Sequence, residues 1–416
     1  MRIIKEVEKV VFENGLVLLL IPQEQAPLFS VSLCLGMGNL YESKGEEGIS
    51  SLLQETMVKG TEKQSASQFN LTVEGLGATI SSSANYFTGR LALEGPTSEW
   101  SAILHLFLEV LKTPALSEKE MEREKEFLIN LLRSADDDPL KASLRRFKKA
   151  FYGNHPFALS SIGREEGLRG ITQKQLIDWY RQIYVPNNMV ISVVGGFPAD
   201  RAREILEKEM GSAVPAERPK PVVDDKEFAP AGWQIVDEKD ITDSWLVLGS
   251  SAPDLLSVRE RVIFEVLNNI LGGAMYSRLF LRIREEKGLS YQVGSLYSPL
   301  LGPSFICAYC GFLPQYFELV LDNLKTEFRR LTVLDKDEWE EAKNYTWGLL
   351  LHSLETVHSV ASLTSFYEKL GLGWDFPFTY QQILGEATLA EAQEVASNYL
   401  GDQKYSIGAV VPVKRE

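Results

Sequence analysis

The sequence predicts an α+β protein made of two homologous halves, each a β-sheet with helices packed against it. The chain has 416 residues, which is too long for one ordinary hydrophobic core. The order of predicted strands and helices in residues 1–211 recurs in residues 233–416. Residues 212–232 between them are rich in proline, mix charges of both signs and lack a hydrophobic period, which predicts a linker.

The first half opens with a predicted β-hairpin. Asn14-Gly15 is a strong two-residue turn signal, and it separates the apolar runs 10–12 and 16–21. A third strand is predicted at 29–35. The remaining predicted elements are an amphipathic helix at 48–61, a helix at 65–76, strands at 78–84 and 87–94, helices at 98–111, 118–133 and 140–151, a turn and buried strand over 186–195, and a helix at 199–210.

The second half repeats this order with different residues. Strands are followed by predicted helices at 258–271 and 275–286, a strand pair, long helices and a final strand at 405–411. A sheet covered by helices is an economical way to bury the apolar faces of such elements.

Composition and charge restrict the classes of function. The formal net charge of −14 argues against nucleic acid and anionic membranes, because both are bound through basic surfaces. No apolar run approaches the length that spans a membrane, and the charged N-terminus does not resemble a signal peptide. Three cysteines are too few for a disulfide framework, so we expect a cytoplasmic protein.

The helix predicted at 48–61, GISSLLQETMVKGT, carries the most informative side chains. Ser51, Gln54 and Glu55 are spaced i, i+3 and i+4, so they share one face of the helix. A histidine pair at the outer two positions could hold zinc, with a glutamate at position 54 as general base. The neutral Gln54 cannot take a proton from water, and a serine with one carboxylate is a poor zinc site.

The residues around this face resemble the active-site helix of the pitrilysin and mitochondrial-processing-peptidase family of zinc peptidases. In that family a His-x-x-Glu-His sequence holds the metal, and a later helix supplies a glutamate as third ligand. Residues 122–132 are similar to that later helix, and the ligand position falls on Leu131. The resemblance therefore implies that all three ligand positions are lost, and we expect no metal in this chain.

Nearly the whole chain takes part in this resemblance, including YVPNNMV at 184–190, LGGAMYSRLF at 271–280 and REEKGLSY at 284–291. It implies two homologous domains of the mitochondrial-processing-peptidase type. Family members bring an arginine and a tyrosine from a C-terminal half to the zinc site of an N-terminal half, and these match Arg284 and Tyr291. Both can donate hydrogen bonds to a developing oxyanion. Gly272 and Gly273 match a region near the family's substrate path.

Two other sets of residues look like metal sites at first. His352 and His358 are expected on one long helix, where their spacing would point them about 120° apart. Cys307 and Cys310 lie in an apolar strand without a second pair of ligands, which predicts core residues.

These features together predict the zinc-free subunit of a heterodimeric metallopeptidase. Zinc is expected in a homologous partner chain, and this chain would donate Arg284 and Tyr291 to it. The substrates would be unfolded peptides, which the family binds as an added strand on a sheet edge. Two alternatives stay open: a non-catalytic structural subunit of the same fold, and a homodimeric peptide-binding protein.

Overall fold

The computed structural model describes residue 4 and residues 6–222, 232–401 and 404–413. Part of the predicted linker, residues 223–231, lies outside the described residues. Within the described ranges the chain forms two compact units. The first unit comprises residues 1–132, 161–222 and 351–377, and the second comprises 133–160, 223–350 and 378–416.

The units depart from the predicted halves in two segments. Residues 133–160 precede the predicted linker but belong to the second unit, and residues 351–377 follow it but belong to the first. Compactness and homology are different criteria, so the predicted boundary between homologous halves at 212–232 stays a prediction.

The first unit contains a six-stranded sheet with the order β1-β2-β6-β3-β5-β4 among its described residues. Its strands are β1 (Glu8–Val11), β2 (Val17–Pro22), β3 (Leu28–Gly36), β4 (Thr79–Ala84), β5 (Thr88–Pro96) and β6 (Met189–Gly195). Strands β2 and β6 are parallel, and the other neighbours are antiparallel. The predicted hairpin is confirmed as the β1–β2 pair.

The second unit contains a five-stranded sheet with the order β7-β11-β8-β10-β9 within the described ranges. Its strands are β7 (Gln234–Lys239), β8 (Ser244–Ala252), β9 (Gln292–Ser298), β10 (Ser304–Phe312) and β11 (Ser406–Pro412). Strands β7 and β11 are parallel, and the rest are antiparallel.

The two sheets share one topology. Counted along the chain, strands β2 to β6 and strands β7 to β11 both lie in the order first, fifth, second, fourth, third, with the first and fifth strands parallel. Such a specific arrangement occurring twice supports a duplicated unit, and the predicted α+β fold class is confirmed.

Fourteen α-helices accompany the strands in the part of the chain that is described. They are α1 (Ile49–Met57), α2 (Ala66–Gly75), α3 (Trp100–Lys112), α4 (Glu118–Asp137), α5 (Pro139–Tyr152), α6 (Glu165–Gly170), α7 (Gln173–Ile183), α8 (Ala199–Met210), α9 (Val258–Asn268), α10 (Phe317–Arg330), α11 (Lys336–His352), α12 (Val357–Lys369), α13 (Phe376–Glu386) and α14 (Leu389–Leu400). None of the described helices is long and apolar enough to cross a membrane.

Helix α5 packs on strands β8 and β11 of the second sheet. A Cβ atom at Gly408 in β11 would lie 2.0 Å from the backbone nitrogen of Phe147, so only glycine permits this approach. In the first unit, helix α12 packs on strands β3 and β6. There the contact is polar: the hydroxyl groups of Ser192 and Thr364 are 2.8 Å apart and hydrogen-bonded.

Three predicted helices, at 48–61, 258–271 and 275–286, differ from the structure. The helix at 48–61 ends at Met57. The helix at 275–286 is a π-helical segment over Phe280–Glu286, and a second π-helical segment, Asn269–Gly273, follows α9. Because π-helical turns are rare and concentrate at functional sites, both segments are relevant to the site.

Candidate functional site

Helix α1 begins at a buried anionic cap. Gly48 is its N-cap with φ 110°, a conformation that favours glycine. The carboxylate of Glu42 accepts hydrogen bonds from the backbone N–H groups of Gly48 at 2.9 Å and Ser50 at 3.0 Å. A carboxylate at a helix N-terminus satisfies free N–H groups and interacts favourably with the helix dipole. Burial nevertheless raises the pKa of Glu42 to about 7.

Gln54, at the position of a general base, is completely buried. Its Nε2 donates to the hydroxyl of Tyr184 at 2.8 Å, and its Oε1 accepts a hydrogen bond from Ser82 on β4. The carboxamide therefore ties α1 to β4 and to the end of α7. A neutral group with both ends occupied cannot activate water, so its chemistry here is structural.

Ser51 and Glu55 occupy the two positions of the lost histidine pair. The Ser51 hydroxyl donates to the carbonyl of Ser161 at 3.0 Å. Glu55 is half-buried, and burial raises the pKa of its carboxyl, with Glu124 adding to the rise and Lys59 opposing it. Lys59 is also 3.3 Å from the carboxylate of Glu124. Lys59 thus offsets part of the negative charge of the two carboxylates.

Leu131, at the position of the third ligand, is 40% exposed on α4. Phe127, one turn earlier, is 47% exposed. An apolar side chain offers no lone pair to a metal. Among the described residues no group of three or more His, Cys, Asp or Glu side chains could hold a metal ion. The side chains present on this face do not fit zinc.

We therefore expect the purified chain to hold no stoichiometric zinc. Ser51 and Leu131 cannot replace imidazole and carboxylate ligands, and Glu55 alone cannot hold the ion. Elemental analysis after dialysis against metal-free buffer measures this directly. Close to one zinc per chain would contradict the interpretation of α1.

The structure brings Arg284 and Tyr291 together on the second unit. The Arg284 guanidinium lies over the ring of Phe280 at 4.7 Å and 5.8 Å from the ring centroid of Tyr291. Its Nη1 is 3.5 Å from the Tyr291 carbonyl oxygen, a long hydrogen bond. Tyr291 is 86% exposed, and its hydroxyl has no hydrogen-bond partner among the residues that the structure describes. Their catalytic role stays a prediction.

A set of buried contacts that the sequence analysis missed anchors the segment bearing Arg284. Arg282 lies 3.3 Å from the fully buried carboxylate of Glu327 on α10. Lys287 donates to the side-chain oxygen of Asn323 at 2.6 Å. Arg282 and Lys287, on either side of Arg284, are thus held by α10, whereas Arg284 is half-buried and its guanidinium lies 3.6 Å from the carboxylate of Glu285. The i, i+4 spacing of Asn323 and Glu327 was the available signal.

Gly272 and Gly273 have a packing explanation. A Cβ atom at Gly272 would lie 2.5 Å from the backbone nitrogen of Ser295 on β9, and one at Gly273 would lie 2.6 Å from the side-chain oxygen of Asn269. Gly272 thus lets the π-helical segment Asn269–Gly273 pack against β9, and Gly273 lets the segment close on the side chains of Asn268 and Asn269. Their place near a substrate path stays a prediction.

The structure also tests the two other sets of residues that looked like metal sites. Cys307 and Cys310 are buried in β10, and burial raises the pKa of each thiol to about 12, so their place in the core is confirmed. The expectation of one helix through His352 and His358 is wrong, because α11 ends at His352 and His358 belongs to α12. His358 lies 3.8 Å from the carboxylate of Glu94.

Two family models match this chain in sequence. Residues 17–164 match the model described as Insulinase (Peptidase family M16), and residues 170–346 match the model described as Peptidase M16 inactive domain. The chain belongs to the M16 peptidase family. This confirms the family resemblance that the residues of α1 and the Arg284 segment indicated.

Two curated relatives of this M16 protein are named as zinc proteases. It is 27% identical over 416 residues to Uncharacterized zinc protease YmxG of Bacillus subtilis, covering 96% of this chain and 97% of that protein. It is 24% identical over 349 residues to an uncharacterized zinc protease of Rickettsia felis, covering 83% of each chain.

Solved structures share the fold. A protease from Helicobacter pylori superposes with a TM-score of 0.89 at 22% identity, covering 98% of this chain and all of that one. A peptidase M16 inactive domain from Pseudomonas fluorescens superposes with a TM-score of 0.88 at 20% identity, covering 99% of this chain and 100% of that one.

Proposed function

We propose that this M16 chain is the zinc-free subunit of a two-chain metallopeptidase that cleaves unfolded peptides. In this proposal a homologous partner holds zinc on an intact His-x-x-Glu-His helix, and this chain donates Arg284 and Tyr291 to that site. Both chains would be cytoplasmic.

The proposal rests on the difference between the side chains of α1 and the pair Arg284 and Tyr291. On α1 the side chains that would serve catalysis are replaced and their hydrogen bonds are used within the protein, as the bonds of Gln54 to Tyr184 and Ser82 show. Arg284 and Tyr291 are retained and lie side by side, Arg284 half-buried and Tyr291 86% exposed. Core packing does not account for Tyr291, because its ring is exposed and lies beside the Arg284 guanidinium. If this chain stabilises charge in a partner's site, it needs Arg284 and Tyr291 but no catalytic side chains on α1, which is the pattern observed.

A non-catalytic peptide-binding or structural role is the second candidate, and strand β4 is sufficient for the peptide-binding form of it. This strand lies at the edge of the first sheet and pairs only with β5 among the described strands. Its exposed side chains are small and polar, as at Ser81 and Ser83. An open edge of this kind can bind an extended peptide by main-chain hydrogen bonds without any catalytic group.

Reconstitution tests the catalytic proposal. We expect the isolated chain to cleave no peptide, because it has neither zinc ligands nor a general base. Mixing it with an M16 relative that carries His-x-x-Glu-His should produce hydrolysis of a quenched fluorescent peptide, and a chelator should abolish that hydrolysis. The control is the same relative with its base glutamate replaced by glutamine.

Two outcomes would count against the proposal. Chelator-sensitive hydrolysis by the isolated chain would show that it has its own metal site. A stable complex with such relatives that binds peptide but never cleaves it would favour the peptide-binding role.

A further inference from the structure

Three cationic side chains meet near the end of β3 in the first unit. Arg90 on β5 is the cross-strand neighbour of Cys34 on β3, and it donates a hydrogen bond to the Cys34 thiol. Burial raises the pKa of that thiol to about 11, and the charges of Arg90 and of Lys369, at the end of α12, oppose the rise. The charge of Arg218, beyond α8, acts in turn on Lys369. We call Arg90, Arg218 and Lys369 the cationic cluster.

No carboxylate balances the cationic cluster. None of its three members forms an ion pair with a carboxylate in the part of the chain that the structure describes. Glu368, the residue before Lys369, pairs instead with Lys9 at 2.6 Å, and Glu94 of β5 lies 3.8 Å from His358. Composition does not explain this, because the chain has 57 acidic and 43 basic side chains. Positive charges without a counter-ion are costly to hold, and an anion bound among them removes that cost.

Lys369 shows the cost most directly. It is half-buried, and its ammonium donates a hydrogen bond to the neutral side-chain oxygen of Asn188 at 2.7 Å. Burial lowers the pKa of Lys369 to about 8, and the positive charge of Arg218 adds to the decrease. The amine therefore still carries its charge at pH 7, in surroundings that disfavour a cation.

Arg90 offers a donor in a fixed position. Its guanidinium lies over the ring of Phe366 on α12, 4.8 Å from the ring centroid, which holds the plane of the group. Its Nε atom is buried and has no hydrogen-bond partner within the described ranges. Buried N–H groups are normally bonded, so this one is available to an acceptor that a ligand brings.

Gly36 at the end of β3 keeps space beside these donors. A Cβ atom at this position would lie 3.3 Å from the Tyr41 hydroxyl and 3.5 Å from Cε of Lys369. The Tyr41 hydroxyl and the Lys369 side chain thus lie on the same side of Gly36. A tyrosine hydroxyl adds a neutral donor to the cations around it.

We propose that the cationic cluster, together with the hydroxyl of Tyr41, binds a phosphate group. Several positive charges without a carboxylate favour a ligand with two negative charges over one with a single charge. Arginine and lysine both bind phosphate oxygens through charge-assisted hydrogen bonds. Inorganic phosphate and a phosphate monoester offer the same chemistry. The proposal needs neither a zinc-bearing partner nor a peptide, so it stands or fails separately from the catalytic function.

Isothermal titration calorimetry with the full chain and inorganic phosphate tests the proposal, in Hepes buffer at pH 7 and low ionic strength. We expect one saturable site per chain. Lys369→Met and Arg90→Gln should each weaken binding about tenfold or more, and Tyr41→Phe about threefold. Lys112→Met is the matched control, because it removes a lysine of α3 that already pairs with Glu209 at 2.6 Å. Its affinity for phosphate should equal that of the wild type.

Two further ligands define the chemistry of the site. Acetate carries one negative charge and should bind about tenfold more weakly than phosphate, or less. Glycerol 3-phosphate distinguishes the two sources of a phosphate group. Affinity equal to or higher than that of inorganic phosphate assigns the site to a phosphate monoester, and failure to bind while inorganic phosphate binds assigns it to the free ion.

Three results would overturn the proposal. The first is the absence of saturable phosphate binding to the wild-type chain. The second is unchanged affinity in both Lys369→Met and Arg90→Gln, with circular dichroism establishing that each is folded. If either variant is unfolded, Arg218→Gln takes its place, because Arg218 is exposed and its loss should weaken binding about threefold. The third is equal affinity for acetate and phosphate.

Discussion

Replacing Tyr291 with phenylalanine is expected to lower kcat for peptide hydrolysis about 10²- to 10³-fold in the complex with a zinc-bearing partner. The substitution deletes one hydroxyl and leaves the ring beside Arg284. In the proposed role that hydroxyl donates a hydrogen bond to the oxyanion of the transition state. An interaction made only in the transition state affects kcat, whereas a uniform binding contact mainly raises KM.

The measurement is steady-state hydrolysis of a fluorogenic peptide by the reconstituted complex. Tyr316→Phe is a matched control, because Tyr316 is a half-buried tyrosine of the same unit that lies outside the candidate site. Gel filtration establishes that each variant still assembles. Wild-type kcat in the assembled Tyr291→Phe complex would remove the catalytic role of this tyrosine and strengthen the structural-subunit alternative.

Arg284→Lys separates charge from geometry at the same site. Lysine keeps the positive charge but lacks the planar fork that can hold two oxygen atoms, so we expect kcat to fall here too. Because Arg284 also stacks on Phe280, the variant's folding should be compared with wild type before its kinetics are interpreted.

Replacing Gln54 with glutamate is expected to destabilise the chain by about 3 kcal/mol at pH 8. The variant restores the family's base residue without its zinc. The side chain is completely buried, so an ionised carboxylate there loses its hydration. It also loses the N–H donor that now bonds to the Tyr184 hydroxyl.

The loss of stability in the Gln54→Glu variant should become smaller as the pH is lowered. Burial raises the pKa of a carboxyl, so the folded variant binds more protons than the unfolded chain at intermediate pH. Its stability relative to wild type therefore rises as pH falls through the folded pKa, and the part of the penalty that is due to ionisation disappears below the unfolded pKa of about 4.3. Urea unfolding at pH 8 and pH 5 measures the difference.

Gln68→Glu makes the same chemical change at an exposed position. Gln68 accepts hydrogen bonds from the backbone N–H and the hydroxyl of Ser65 at the start of α2, and a carboxylate keeps both. A negative charge is also favoured in the first turn of a helix. We expect no loss of stability in this control. An equal loss for Gln54→Glu at both pH values would show that ionisation is not its cause.

Local signals were enough to predict much of this protein. Asn14-Gly15 sets a hairpin because its backbone preferences act over two residues. Helix α2 starts at Ser65 because a serine side chain can cap the N–H group three residues later. Ser51 and Leu131 lack zinc-ligand chemistry and Gln54 lacks that of a general base because of the residue types themselves, and no fold changes this.

Other properties required contacts between residues far apart in the chain. The partners of Gln54 are Ser82 and Tyr184, which lie 28 and 130 residues away, so its structural role cannot be derived from α1 alone. The position of the Arg284 segment depends on α10, which binds Arg282 and Lys287 on either side of Arg284. Residues 133–160 and 351–377 join the units opposite to the predicted halves for the same reason. Hydrophobic periodicity shows which face of a helix is buried, but the sheet that covers that face is selected by shape and by long-range packing.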